Sequence, residues 1–403
     1  MKKLILLCLP VAFLALSCEQ AKAPAAEPDL KILSELPEMN QSMGWKLFRE
    51  EQSANPQANI LLSPLSIQTA LLMALPGAGG NTQSEINQAI GNVALPENLL
   101  GQYSALAQEL QDSGHPEVTL ANAYFYDDNR IDVESEYLST LMEHYDCHAE
   151  ILDFRQSQES VEAINGWVAE QTNDKITSLL DQITAEDVAF LINALYFKAD
   201  WAAGFSEDAT QAAPFTTADG SQVSADFVFG DRNFTTATAD GLQMVDLPFR
   251  DSTFSLCLIR PEAMEAGWPG TMGVVRWHSL LDSLQPGRAM VFFPKLKLEY
   301  KNDLIASLKQ LGITDAFLPA EADFRPMGQA LNGGNVFIKQ VVHQSVLEID
   351  EKGAEGAAAT SIGFGATSMP PVFRFDQPFV LVLRHIPTNT MLFTGYVADP
   401  TED

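Results

Sequence analysis

The sequence predicts an α+β fold built as one large domain, and three observations carry that reading. Helical spacing dominates the first half of the chain and strand patterning the second. The near-continuous apolar run VAFLINALYFK, residues 188–198, fits a central strand covered on both faces. No break in composition divides the chain after residue 40, and no internal repeat of roughly 20–50 residues is visible. A chain of 403 residues that is 46% hydrophobic can bury a sizeable core.

The elements follow in order. Met39 to Phe48 has helical spacing. Asn59 begins a short buried strand, and Ser63-Pro64-Leu65-Ser66 reads as a helix start, with Ser63 as cap and Pro64 in the first turn. Asn81 to Glu85 starts another helix, residues 118–127 read as a strand, and Val133 to Tyr145 and Ser160 to Gln171 have helical spacing. Strands are expected at 188–198, 243–249, 253–260 and 289–299, followed by a helix at 301–311 that Gly312 caps. IKQVVHQSVLEIDEKG is strand-like through Val342, Val346 and Ile349. The C-terminal VFRFDQPFVLVLRHIPTNTMLFTGYVADP reads as two strands joined by the Pro387-Thr388-Asn389 turn.

Residues 351–371, EKGAEGAAATSIGFGATSMPP, lie between core strands. Every second residue, Ala354, Gly356, Ala358, Thr360, Ile362, Phe364 and Ala366, is small or apolar. Such alternation is the signature of a half-buried strand. Yet the Gly/Ala content suits an exposed loop. Taken alone, the tract reads as a flexible linker. Between strands of one domain it reads as a functional loop able to join a sheet later.

Charge and targeting narrow the function. The net charge of −29, or −31 without Lys2 and Lys3, argues against nucleic acid and anionic membranes as partners. No Lys or Arg occurs from Glu50 to Asn129, so no heparin-type polyanion site is expected there. Residues 1–17 read as a signal segment, with Leu4 to Leu16 apolar but short for a membrane span. Ala15-Leu16-Ser17-Cys18 resembles a bacterial lipobox with Ala15 in place of the usual leucine. The expected product is an exported lipoprotein of the bacterial cell envelope, periplasmic or on the cell surface, lipidated on Cys18 and tethered through residues 18–37; plain secretion is the alternative. Membrane contact would be through the lipid alone. Cys147 and Cys257 are expected as free thiols.

No nucleophile elbow, phosphate loop, zinc-protease motif or dinucleotide fingerprint is present. His144 and His148 have a zinc-compatible spacing on an expected helix, but no third ligand follows at motif spacing, so no metal and no cofactor are expected.

Several blocks together resemble the serpin family over residues 38–400. They are NILLSPLSIQTALLMALPGAGGNT, INGWVAEQTNDKI, LINALYFKADWAAGF, VFFPKLKLE, VVHQSVLEIDEKGAEGAAAT and FRFDQPFVLVL with LFTGYVADP. The resemblance implies three β-sheets, about nine helices and a reactive-centre loop at about 351–371. It implies a monomeric suicide-substrate inhibitor of serine or cysteine proteases, not an enzyme. The target protease would cut the loop, which would then insert as a strand into the large sheet and trap the acyl-enzyme. The hinge would be Glu351, Gly353, Ala354, Glu355, Gly356, Ala357, Ala358, Ala359 and Thr360, with Ala354 and Gly356 departing from the commoner Thr and Ala. Small hinge residues favour an inhibitor over a non-inhibitory serpin acting as a binding module or chaperone. Counting from Gly353, the scissile bond falls at Thr367-Ser368, with Ala366-Thr367 and Phe364-Gly365 as the alternatives, which suits an elastase- or subtilisin-like target. Ser63, Ser66, Asn193 and His343 are expected to share a polar network where the sheet strands part, and Trp201 to sit where the loop first inserts.

Overall fold

The computed structural model describes residues 35–91, 99–112, 117–354 and 370–402. Helix α1 (Glu35–Ala54) is followed by β1 (Ile60–Leu62), α2 (Pro64–Ala74), α3 (Gly80–Ala89) and α4 (Leu99–Gln111). Next come β2 (Glu117–Tyr126), β3 (Ile131–Val133), α5 (Ser135–Tyr145), β4 (Cys147–Ile151), α6 (Ser157–Gln171) and β5 (Ala189–Asp200). The second half holds β6 (Gln211–Thr216), β7 (Gln222–Ala239), β8 (Leu242–Pro248), β9 (Phe254–Pro261), α7 (Val274–Asp282), β10 (Gln285–Pro294), β11 (Leu296–Asp303) and α8 (Ile305–Gln310). It closes with β12 (Gly328–Ala330), β13 (Val342–Ile349), β14 (Gly353–Ala354), β15 (Val372–Arg374), β16 (Phe379–His385) and β17 (Met391–Val397).

The α+β class holds, with eight α-helices among the described residues. One nine-stranded sheet runs β1-β17-β16-β9-β8-β7-β10-β15, with β6 on β7. A second group has four strands, β14-β5-β2-β4, and faces a separate pair, β11-β13. No described residue of β5 pairs with β13, so this sheet is parted along its length. The expected three sheets therefore appear differently, and the parting matters for the site.

Ser63 caps α2 as expected: its hydroxyl accepts from Ser66 N at 3.1 Å, with Pro64 in the first turn. Three expectations shift. The strand expected at 289–299 is two, because Pro294 offers no donor and Lys295 N turns to Asp226 O at 2.8 Å. The helix expected at 301–311 shrinks to α8, since β11 continues to Asp303. The helix expected to carry both His144 and His148 stops at Asp146, which has φ +48, and His148 lies on β4 against Glu150 and Trp167. No metal-binding group of side chains occurs among the described residues.

The alternation of β5 sorts its two faces. Phe190 and Ile192 join Phe125, Ile164 and Val168 in a small core beneath α6. Leu195, Phe197 and Ala199 face the main core. Cys147 and Cys257 are buried free thiols, and burial pushes the Cys147 thiol up to about 12.

Candidate functional site

The gap between β5 and β13 is the candidate site. At its head, the chain leaves β13, turns, and starts a new strand inside the gap. Asp350 makes the turn: its Oδ1 accepts from Lys352 N at 2.7 Å and Gly353 N at 3.1 Å, and its N–H donates to Gly353 O. The two residues of β14 pair antiparallel with β5, Gly353 opposite Asp200 and Ala354 opposite Ala199. Gly353 has φ +148, and a Cβ there would lie 2.1 Å from Ala199 O, so only glycine fits so close to β5.

Aromatic and charged groups fix this head. Trp201 stacks on Phe249 at 4.6 Å, and its Nε1–H donates to Asp350 O at 2.9 Å. Trp201 N and Phe205 N donate to Lys352 O and Glu351 O. The buried Glu351 carboxylate accepts from Thr210 Oγ1 at 2.6 Å and pairs with Lys295 Nζ at 2.9 Å. Burial alone would raise its pKa, but these two bonds hold it below the usual range.

Midway down, the polar residues expected to form one network form two. His343 on β13 accepts through Nε2 from Ser63 N at 3.1 Å and Ser345 Oγ at 2.8 Å, and Ser63 Oγ donates to Ser66 Oγ at 3.0 Å. The ring is buried, and burial lowers its pKa to about 4, so it is neutral. Asn193, on the opposite wall, donates instead to Asn122 Oδ1 at 2.8 Å. Asn122 in turn donates to Tyr145 O at 2.7 Å. The split follows from the parting, because the gap separates Asn193 from His343. Asn193 Oδ1 and Gln344 Oε1 are buried without a partner among the described residues, and both side chains line the same cavity.

At the foot the gap widens to a cavity of about 200 Å³, walled by Ile67, Leu71, Leu191, Phe324 and Val341 among others. Ala189, Leu191 and Asn193 are only half-buried, although the neighbouring Phe190 and Ile192 are buried.

The family follows from comparison. The sequence profile described as Serpin (serine protease inhibitor) matches residues 38–400. The chain is a serpin. It is 30% identical over 384 residues to the leukocyte elastase inhibitor of Sus scrofa, covering 91% of this chain and all of that one. The crystal structure of the thermophilic serpin tengpin in its native state superposes with a TM-score of 0.83 at 26% identity, covering 93% of this chain and 95% of that one. Tengpin in its latent state gives a TM-score of 0.78 at 25% identity, covering 93% and 99%. The family is one of protease inhibitors, so this serpin is not an enzyme.

Of the sequence-derived site residues, Glu351, Gly353, Ala354, Ser63, Ser66, Trp201, His343 and Asn193 all line the gap or its head. Residues 355–360, Thr367, Ser368 and Cys18 lie outside the described residues. Sequence reading missed Asn122, Ser345, Lys295 and Thr210 as partners. Asn122 was visible as an amide within the apolar strand VTLANAYFY, a polar group that needed a mate.

Proposed function

We propose that this serpin is a suicide-substrate inhibitor whose cleaved loop fills the gap between β5 and β13 and traps the acylated protease. The observation that carries the proposal is β14, already paired with β5 at the head of a gap that holds no further strand among the described residues. Continuing the same register sets Gly356 opposite Phe197, Ala358 opposite Leu195, Thr360 opposite Asn193, Ile362 opposite Leu191 and Phe364 opposite Ala189. Small residues thus meet the tight upper wall. Thr360 brings a hydroxyl to the unpartnered Asn193 Oδ1, and Ile362 and Phe364 meet the wide apolar foot. Charged or bulky groups in the upper positions would stall insertion against packed Leu195 and Phe197.

The strand needed to span the 12 residues of β5 is about 40 Å long at ~3.3 Å per residue. In that register the strand runs from Gly353 to Phe364, three residues short of the Thr367-Ser368 bond proposed from the sequence. Cutting there leaves no basic residue for a trypsin-like pocket and favours an elastase- or subtilisin-like protease. The signal-like N-terminus supports export and lipid attachment at Cys18, with residues 18–37 as a tether and the bacterial cell envelope as the place of action. Mass spectrometry of the N-terminal peptide would detect the acyl chains.

The direct test is incubation with pancreatic elastase or subtilisin. An SDS-stable complex one protease larger than the serpin is expected. Cleavage of the loop with no such complex from any serine protease tried would overturn the inhibitory reading.

A further inference from the structure

The connector between α6 and β5, residues 172–188, crosses the outer mouth of the gap. Thr172, Lys175, Ile176, Leu179 and Leu180 of this connector line the cavities between β5 and β13. Ile176, Leu179, Leu180 and Ile183 are buried in the small core beneath α6, and Val342 and Val346 of β13 pack against that core. The apolar side of the connector therefore roofs the gap.

Lysines tie this roof to the far half of the sheet. Lys175 Nζ reaches Glu348 Oε2 on β13 at 3.1 Å. Lys301 Nζ on β11 reaches Asp181 Oδ1 at 3.1 Å and donates to Ser178 O at 3.0 Å. Lys339, just before β13, lies 3.2 Å from Asp187 Oδ1 and donates to Thr184 Oγ1 at 2.5 Å, with Glu186 at 3.6 Å. Cations are scarce in a chain with 24 Lys and Arg against 53 Asp and Glu, so three bridges on one connector stand out. The first of them sits where passage begins, since Lys175, Glu348, Phe197 and Ala354 line one small cavity.

We propose that these three bridges form an ionic strap that holds the connector down over the gap and sets the rate at which a strand passes beneath it. The proposal rests on the insertion reading above. Among the described residues β5 and β13 share no ladder; α2 and its cap Ser63 bridge the two sides from behind, and on the outer side the halves are joined by the turn at the head, the buried contacts beneath the connector and this strap. A strand moving down from Ala354 must lift the connector, and lifting it separates Lys175 from Glu348 first. Side-chain exposures of 29% and 35% for that pair leave it open to screening by salt. Partly exposed pairs of this kind are each worth roughly a two- to fivefold change in an equilibrium, and pairs sharing one segment do not add simply. The strap as a whole should slow insertion about tenfold.

The probe is a fluorescein-labelled synthetic peptide of residues 354–366, added to the intact full-length serpin and followed by anisotropy. Lys175→Gln/Lys301→Gln/Lys339→Gln should take up the peptide about tenfold faster than the unaltered protein in 0.05 M NaCl, and Glu348→Gln two- to fivefold faster. In 1 M NaCl, where the screening length is ~3 Å, the unaltered protein should approach the rate of the triple variant. The swap Lys175→Glu/Glu348→Lys should restore slow uptake, which a loss of packing would not. Thermal melting checks that each variant is folded. Equal rates and equal salt dependence in the unaltered and triple-variant proteins would overturn the strap and leave insertion standing. Peptide that binds none of them would overturn both.

Discussion

Gly353→Ala is the substitution the structure judges most sharply. The new Cβ would lie 2.1 Å from Ala199 O and 2.8 Å from Asp200 Cα, both backbone atoms that cannot swing aside. The φ of +148 adds ~1–3 kcal/mol for a residue with a side chain. Relieving the clash means breaking the Gly353–Asp200 pairing, at roughly 0.5–1.5 kcal/mol per ladder bond. Together these come to about 2–4 kcal/mol, or a roughly 30- to 1000-fold slower start to insertion at 1.4 kcal/mol per tenfold. The assay is titration of a fixed amount of elastase or subtilisin, read as active-site inhibition and as SDS-stable complex. The variant should be cut as readily as the parent but yield little complex, with many molecules consumed per protease inactivated. Its intact form should also melt a few degrees lower, at ~2 °C per kcal/mol. Parent-like complex yield together with a parent-like melting point would refute the claim that β14 begins the inserted strand.

Three further expectations follow. Ala358→Glu carries a carboxylate to the body side opposite buried Leu195, so complex should vanish while cleavage persists; surviving complex would mean the alternate positions face the other way. Thr367→Arg should bring trypsin under inhibition, and an unchanged protease profile on a panel would show the scissile bond lies elsewhere. Acid should weaken the fold through His343, whose pKa in the folded state is lowered by burial to about 4 from the usual 6.5. The unfolded chain then takes the proton first, so stability is intact above about pH 6.5 and falls as pH drops towards 4. The loss at pH 5 is about 2 kcal/mol from His343, with a similar amount from His385, which burial lowers likewise to about 4. Urea unfolding that is flat from pH 7 to pH 5 would contradict a neutral buried His343.

Much of the fold was legible because local signals agreed with the global one. Ser63-Pro64 announced α2, and the apolar run 188–198 announced β5. Gly353 and Ala354, at the start of the alternating tract, form β14. What failed failed for tertiary reasons. The 18-residue β7 carries Gly230, Asp231 and Arg232 in its middle and shows no simple alternation, because different stretches of it pair with β6, β8 and β10. Residues 301–303 carry a helical pattern but are held in β11 by pairing with His343, Gln344 and Val342. His144 and His148 looked like one helical face until Asp146 took a left-handed turn between them. At the site, single residues could be placed on the gap, but the division into two polar networks could not be read. It depends on how far β5 and β13 stand apart, which no local pattern encodes.

The central claim is that the gap between β5 and β13 receives the serpin's own cut loop, and calorimetry of intact and singly nicked protein tests it most directly. A dozen new ladder bonds at roughly 1 kcal/mol each, with ~2 °C per kcal/mol, should raise the melting temperature by more than about 20 °C. A nicked protein that melts where the intact one does, with residues 354–367 still open to digestion, would contradict it.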